Sequence, residues 1–263
     1  MLITKIQSKQ NSTIKHLARL AKDKKYRNNI NQMVCEGEKM LFEALSSNIK
    51  VHTVIIKSGA LVSDELLNNA FNKGAYLFSA DEKLFNLASD VETSQNILFS
   101  CDIPHKMADE LPENLNGVIL LDGIQDPGNL GTILRTADAF ALSAVILCEG
   151  CTDTFAPKVV RSTMGAIFRQ PVFKMPLEQA VACMHSRNIP VYAAALSDKS
   201  ISINDISLKN AAVIIGNEGR GVTEKALNLC DKQIIIPMLG KAESLNAGVA
   251  AAILIWEMSG KNE

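Results

Sequence analysis

The stretch IIGNEGRGVT, Ile214 to Thr223, ends an apolar run in a loop that carries one carboxylate, Glu218, and one guanidinium, Arg220. Gly216, Gly219 and Gly221 allow close backbone approach and positive φ, as a loop holding a ligand against its own main chain requires. A phosphate is the first ligand to consider. Neither the spacing nor the order of residues fits G-x-x-x-x-G-K-[ST] or G-x-G-x-x-G, so the usual nucleotide loops are poor matches. Taken alone, the stretch also reads as a strand end running through a tight turn into a helix. Two other segments have the same character: DGIQDPGNLG, Asp122 to Gly131, and PMLGKAESLN, Pro237 to Asn246. Each joins glycines or prolines to a few polar side chains.

The elements around these loops alternate. GVILLD, AVILCE, PVYAAAL, AAVIIG and KQIIIPM are apolar strands. Between them lie the helices NLGTILRTADAFA and PLEQAVACMHSRN, a helix-like stretch before RQPVF, and a final helix from Ser244. This order predicts an α/β fold with a mostly parallel sheet covered on both faces. In open sheets of that kind ligands sit outside the C-terminal strand ends, where the three loops stand. Upstream, two helices precede short strands and helices: VHTVIIK is a strand, DELLNNAFNKG a helix with a glycine stop, AYLFS another strand. That is a small α/β unit. CDIPHKMADELPENLNG, Cys101 to Gly117, loses periodicity and gathers two prolines, as a linker does. Two domains are expected, residues 1–110 and 111–263.

A chain of 263 residues can bury a large core, and its 47% hydrophobic and 21% charged residues are those of a soluble globular protein. MLITKIQSKQ lacks the apolar core of a signal peptide and no apolar run is long enough to span a bilayer, so a cytoplasmic location and no membrane are expected. The six cysteines follow no repeating framework and read as reduced thiols. Cys148 and Cys151 have C-x-x-C spacing, but no second Cys/His pair stands at zinc-site distance, so packing at a strand end is the better reading and no metal is expected. The net charge of −1 conceals an asymmetry: residues 1–30 carry eight Lys and Arg against Asp23, giving +7 and leaving −8 for the remainder. Such a cluster is the electrostatic footprint of a polyanion partner. A solvated helix face is the alternative, because Ile14, Leu17, Leu20 and Ala21 recur at helical spacing.

Three segments in this order, LLDGIQDPGNLGTILRTADAF, IIGNEGRGV and IIPMLGKAESLNAGVAAAILIWE, resemble the signature motifs of the SpoU (TrmH) family of RNA ribose 2′-O-methyltransferases, within the SPOUT superfamily. The resemblance covers residues 117–263, with RSTMGAIFRQPV lying between the motifs. SKQNSTIKHL to MVCEGEKMLFEAL resembles the family's substrate-binding domain, a small ribosomal-protein-like α/β fold. The resemblance implies a deep trefoil knot in the second domain, otherwise nearly absent from proteins, a homodimer, and S-adenosylmethionine held in the knot. That cofactor offers an adenine and a sulfonium where a nucleotide offers phosphates, which accounts for the absent phosphate loops.

Carried over by position, Gly216, Ile236 and Leu245 contact the cofactor, and Asn129, Arg135, Glu218, Ser244 and Asn246 form the catalytic set. Arg135 is the central residue by resemblance. A base role is awkward for a guanidinium with a pKa above about 12; binding the phosphate beside the target ribose and stabilising developing alkoxide suits it better. Asn129 positions groups near Arg135 or caps the helix after PGN. Glu218 orients Arg135 or the ribose, or satisfies a helix start. Where relatives commonly read S-L-N-V-S this chain has Ala247 and Gly248, which implies a missing hydroxyl contact and a loosened helix start. The expected substrate is structured RNA, ribosomal RNA before transfer RNA. A noncatalytic RNA-binding relative is the rival, against which the retained polar set counts; a dehydrogenase would need G-x-G-x-x-G after the first strand, and DGIQDPGNLG is not that.

Overall fold

A computed structural model of the chain describes residues 1–91, 94–104 and 111–260. They fall into two compact units, Met1–Pro104 with Asp153–Arg169, and His105–Thr152 with Gln170–Glu263. The expected boundary near residue 110 and part of the expected linker lie outside the described residues.

The first unit begins with β1 (Ile3–Ile6), α1 (Ser12–Lys22), α2 (Lys24–Ile30), β2 (Gln32–Glu36) and α3 (Glu38–Ser46). It continues through β3 (Val51–Lys57), α4 (Asp64–Asn72), β4 (Tyr76–Ala80), α5 (Glu82–Asn86) and β5 (Ile97–Asp102). The sheet order is β1-β4-β3-β5-β2. β4 pairs parallel with β1 and β3, whereas β5 runs antiparallel to β3 and β2. The basic N-terminal stretch forms two helices because Asp23 both ends α1 and caps α2, its carboxylate accepting from the Tyr26 amide at 2.9 Å. Ile14, Leu17 and Leu20 of α1 enter a core with Ile55, Phe85 and Leu98. Each such side chain contributes about 1.5–3 kcal/mol on burial.

The second unit is built from β6 (Val118–Asp122), α6 (Pro127–Ala139) and β7 (Ala144–Leu147). The chain then supplies α7 (Pro157–Ser162) and a 3₁₀ turn at Ala166–Phe168 to the first unit, where α7 packs on β2. Returning, it forms β8 (Val172–Lys174), α8 (Leu177–His185), β9 (Val191–Ala194), β10 (Ile201–Ser202) and β11 (Ala212–Gly216). It ends with α9 (Glu224–Leu229), β12 (Lys232–Ile235) and α10 (Ala247–Met258). The order β10-β12-β9-β11-β6-β7-β8 is parallel at every pairing. β6, β7 and β11 are buried throughout, as continuous apolar strands between two helical layers must be. The short strands β8 and β10 extend the sheet beyond what the sequence pattern announces.

In the first unit Arg27 is 4% exposed, donates to the Leu20 and Ala21 carbonyls and pairs with Asp153. Arg169 pairs with Glu43, and Arg161 with Asp90 at 3.6 Å. One member of the +7 cluster is therefore an internal clamp. Lys5, Lys9, Lys15, Lys22, Lys24 and Lys25 are exposed without an ion-pair partner among the described residues. All six cysteines are free thiols. Cys148 is buried just past β7, where burial pushes its thiol up, and Cys151 donates to the Leu121 carbonyl at 3.2 Å. Among the described residues no cluster of His, Cys, Asp and Glu could hold a metal ion, and no helix is long and apolar enough to cross a membrane.

Candidate active site

The loops after β11 and β12 enclose a cavity of about 440 Å³ at the C-terminal end of the parallel sheet. Gly216, Glu218, Ile236, Ser244 and Leu245 line it, five of the eight site residues expected from the sequence. Its floor is apolar, from Ala194, Ile215, Val222 and Ile234.

The loop after β11 is rigid for a reason that starts with its sequence. Asn217 and Gly221 exchange backbone hydrogen bonds at 2.9 and 2.8 Å, and Asn217 Oδ1 accepts from the Gly219 and Arg220 amides at 3.0 and 3.1 Å. Asn217 Nδ2 reaches the Gly123 carbonyl at 2.8 Å, joining the loops that follow β11 and β6. Only Gly221 among the three loop glycines takes a positive φ, 71°. Gly216 is needed for a different reason than ligand approach. A Cβ there would lie 2.2 Å from the Gly221 carbonyl carbon and the Val222 nitrogen. Its bareness lets the loop close on itself.

Glu218 ties this loop to the start of α6. Its carboxylate accepts from the Gln125 amide at 3.2 Å, the Asp126 amide at 3.0 Å and Asn129 Nδ2 at 3.0 Å. Burial raises the Glu218 carboxyl, but the bond from Asn129 and those from the backbone outweigh it and hold it below the ordinary carboxylate range. An ionised, fully hydrogen-bonded carboxylate is a poor proton acceptor and a good strut. Asn129 is buried and is not the cap of α6; Asp126 is, accepting from the Asn129 amide at 2.8 Å. Asp122 is buried at the end of β6 and accepts from the Thr223 amide at 2.9 Å, fixing the start of α9. Sequence reasoning passed over Asn217 and Asp122. The turn preference of Asn was the available signal for the first; nothing local marked the second.

The last helix departs from expectation in two ways. It starts at Ala247, with Asn246 as its cap accepting from Gly248 and Val249 amides at 2.9 and 3.2 Å, so its start is secured. Gly248 then lets α10 lie close to α6: a Cβ there would stand 3.3 Å from Asn129 Oδ1 and from Thr132 Cβ. Arg135 lies further along α6, exposed, and its side chain has no hydrogen bond or ion pair among the described residues. It does not line the cavity, and Glu218 is not its partner. On α10, Val249 and Trp256 are exposed, and Trp256 meets Phe140 edge to face at 5.4 Å.

Residues 116–256 match the family model described as the SpoU rRNA Methylase family. The chain belongs to the SpoU rRNA methylase family. Residues 11–98 match a second model, the MRM3-like substrate binding domain. A Bacillus subtilis relative named 23S rRNA (guanosine(2553)-2′-O)-methyltransferase RlmP is 35% identical over 97% of this chain and 99% of its own. A Staphylococcus haemolyticus relative named as a putative TrmH family tRNA/rRNA methyltransferase is 30% identical over 86% and 94% of the two chains. Among solved SpoU-like structures, an AdoMet-bound rRNA methyltransferase from Sinorhizobium meliloti superposes with TM-score 0.86 at 26% identity, over 97% of each chain.

Proposed function

We propose that this SpoU family member transfers a methyl group from S-adenosylmethionine to a ribose 2′-hydroxyl of ribosomal RNA. The observation that carries this reading is the strut at the cavity: Glu218, on the cavity wall, fixes Asn129 and the start of α6. The relative active on 23S rRNA, aligned over 97% of the chain, favours ribosomal over transfer RNA.

The cavity suits the cofactor. Its volume of about 440 Å³ falls among small-molecule sites. Residues 238–245 form no backbone-to-backbone hydrogen bond among the described residues, which leaves N–H and C=O groups for a base edge. Gly216, Ile236 and Leu245 would hold it there. Bound in this place, S-adenosylmethionine supplies an electrophilic methyl carbon whose sulfur departs as a neutral thioether.

The protein's own part is alignment and charge. Holding the ribose hydroxyl in line supplies effective molarities on the order of 10⁵–10⁸ M. Arg135 binds the phosphate beside the target ribose and stabilises oxyanion character as the hydroxyl proton leaves to solvent. Its exposure and lack of an internal partner support that role. Asn129, held by Glu218, fixes the α6 start; Ser244 and Asn246 shape the cavity side and the α10 start. The first unit grips RNA through its exposed lysines, a reading supported by the match to a substrate binding domain. The loops after β11 and β12 form the trefoil knot, supported by their sharing one cavity wall. Two chains associate as a homodimer through the exposed apolar residues Val249 and Trp256 of α10. A cytoplasmic enzyme follows from a ribosomal RNA substrate.

Incubation with methyl-labelled cofactor and unmodified 23S rRNA, then mapping of the label, tests the reading. Label at one 2′-oxygen is expected, and an RNA carrying a 2′-deoxy nucleotide at the mapped site should bind yet accept no methyl group. Equal methylation of the two RNAs would place the acceptor on the base and overturn it.

A further inference from the structure

Arg220 stands out in the cavity wall. Among the residues lining the cavity it is the single cation, and Glu218 is the single anion. Glu218 already accepts from Asn129 and two backbone amides. Arg220 is exposed, and its side chain has no hydrogen bond or ion pair among the described residues. Its backbone is nevertheless fixed, because its amide donates to Asn217 Oδ1 at 3.1 Å inside the closed 217–221 loop.

A guanidinium anchored at its base and open at its tip is built to meet an oxyanion in a forked geometry. The methyl donor offers one. Its adenine and sulfonium need no cation, but its amino-acid arm ends in a carboxylate that must find a donor near the cavity. We infer that Arg220 binds the carboxylate of the cofactor's amino-acid arm and so distinguishes the intact methyl donor from adenosyl fragments. This rests on the S-adenosylmethionine reading above and assigns a residue which that reading leaves without a role. Arg220 is a cofactor-binding residue here, and its substitution leaves the Glu218 strut untouched.

The test is calorimetry on the full chain with S-adenosylmethionine, S-adenosylhomocysteine and 5′-methylthioadenosine, the last lacking the amino-acid arm. Wild type should bind the first two more tightly than the third. Arg220→Gln should weaken the first two about tenfold, as loss of one charged hydrogen bond does, and leave methylthioadenosine unchanged. Arg220→Lys should recover part of the loss. Thermal melting of the ligand-free variants separates this from damage to the loop. Equal weakening of all three ligands, or of none, overturns the assignment; so does a variant that loses RNA affinity alone, which would place Arg220 on a phosphate. Wild type that binds neither S-adenosylmethionine nor S-adenosylhomocysteine overturns the methyltransferase reading itself.

Discussion

Asn129 donates its side-chain amide to Glu218 at 3.0 Å across 89 residues of sequence. Asn129 is buried, so this bond answers a polar group that water cannot reach. Glu218→Ala is expected to lower stability by about 1–3 kcal/mol and turnover by more than tenfold, with cofactor affinity within a few fold. Urea unfolding and single-turnover assays measure both. The pH dependence has a definite sign. Because the folded carboxyl lies below its ordinary value, its contribution is fully present above about pH 4.3 and is lost as pH falls through the folded pKa. The stability gap between wild type and Glu218→Gln should therefore close in acid; a gap that persists there contradicts the strut.

Gly216→Ala should open the loop after β11, because the new Cβ overlaps backbone and no side chain can swing away. Cofactor binding should be lost while the sheet core keeps its far-ultraviolet dichroism. Unchanged cofactor affinity in calorimetry would show that the loop has another way to close.

Arg135→Ala should abolish turnover and leave cofactor affinity within a few fold, since Arg135 does not line the cavity. Equal losses in turnover and cofactor affinity would move Arg135 to the cofactor.

Neighbouring positive charges should behave oppositely. Replacing exposed Lys15, Lys22 and Lys25 by Gln should flatten the salt dependence of RNA affinity by roughly 0.7–0.9 for each lysine that meets a phosphate, with melting unchanged. Arg27→Ala should instead cost about 3–5 kcal/mol, because it strips a buried ion pair of its cation. An RNA salt slope that is unaltered in the triple variant would make the lysines a solvated face.

Trp256→Glu combined with Val249→Glu should yield monomers by light scattering, with each folded chain retaining its cavity. If wild type is itself monomeric and active at micromolar concentration, the dimer proposal fails.

The parallel sheet was legible because Val118–Leu121 and Ala212–Ile215 are continuous apolar runs, and such runs have few places to go. β10 has two residues and β8 three, too few for any period to register. Asp126 and Asn129 are both good caps three residues apart, and only their hydrogen bonds reveal which one caps α6 and which one Glu218 holds. The motif resemblance brought the cavity residues to notice. It could not show that Gly216 answers Gly221, which depends on how the loop closes on itself, or that Gly248 answers Asn129, which depends on the approach of two helices remote in sequence. Arg27 read as one more surface charge because its partner lies 126 residues away.

That separation has a consequence in time. During synthesis Arg27 leaves the ribosome long before Asp153, and at about 5–20 residues per second the interval is on the order of 6–25 s. Glu43 and Asp90 wait likewise for Arg169 and Arg161. In the later part of that interval, once β5 has emerged at Asp102, the nascent first unit has all its strands but lacks α7, the Asp153 carboxylate that pairs with Arg27, and the cations that pair with Glu43 and Asp90. Its final consolidation is thus a late, vectorial event, and a ribosome-stalled chain ending before residue 153 should be far more open to protease than one ending after residue 169 has cleared the exit tunnel.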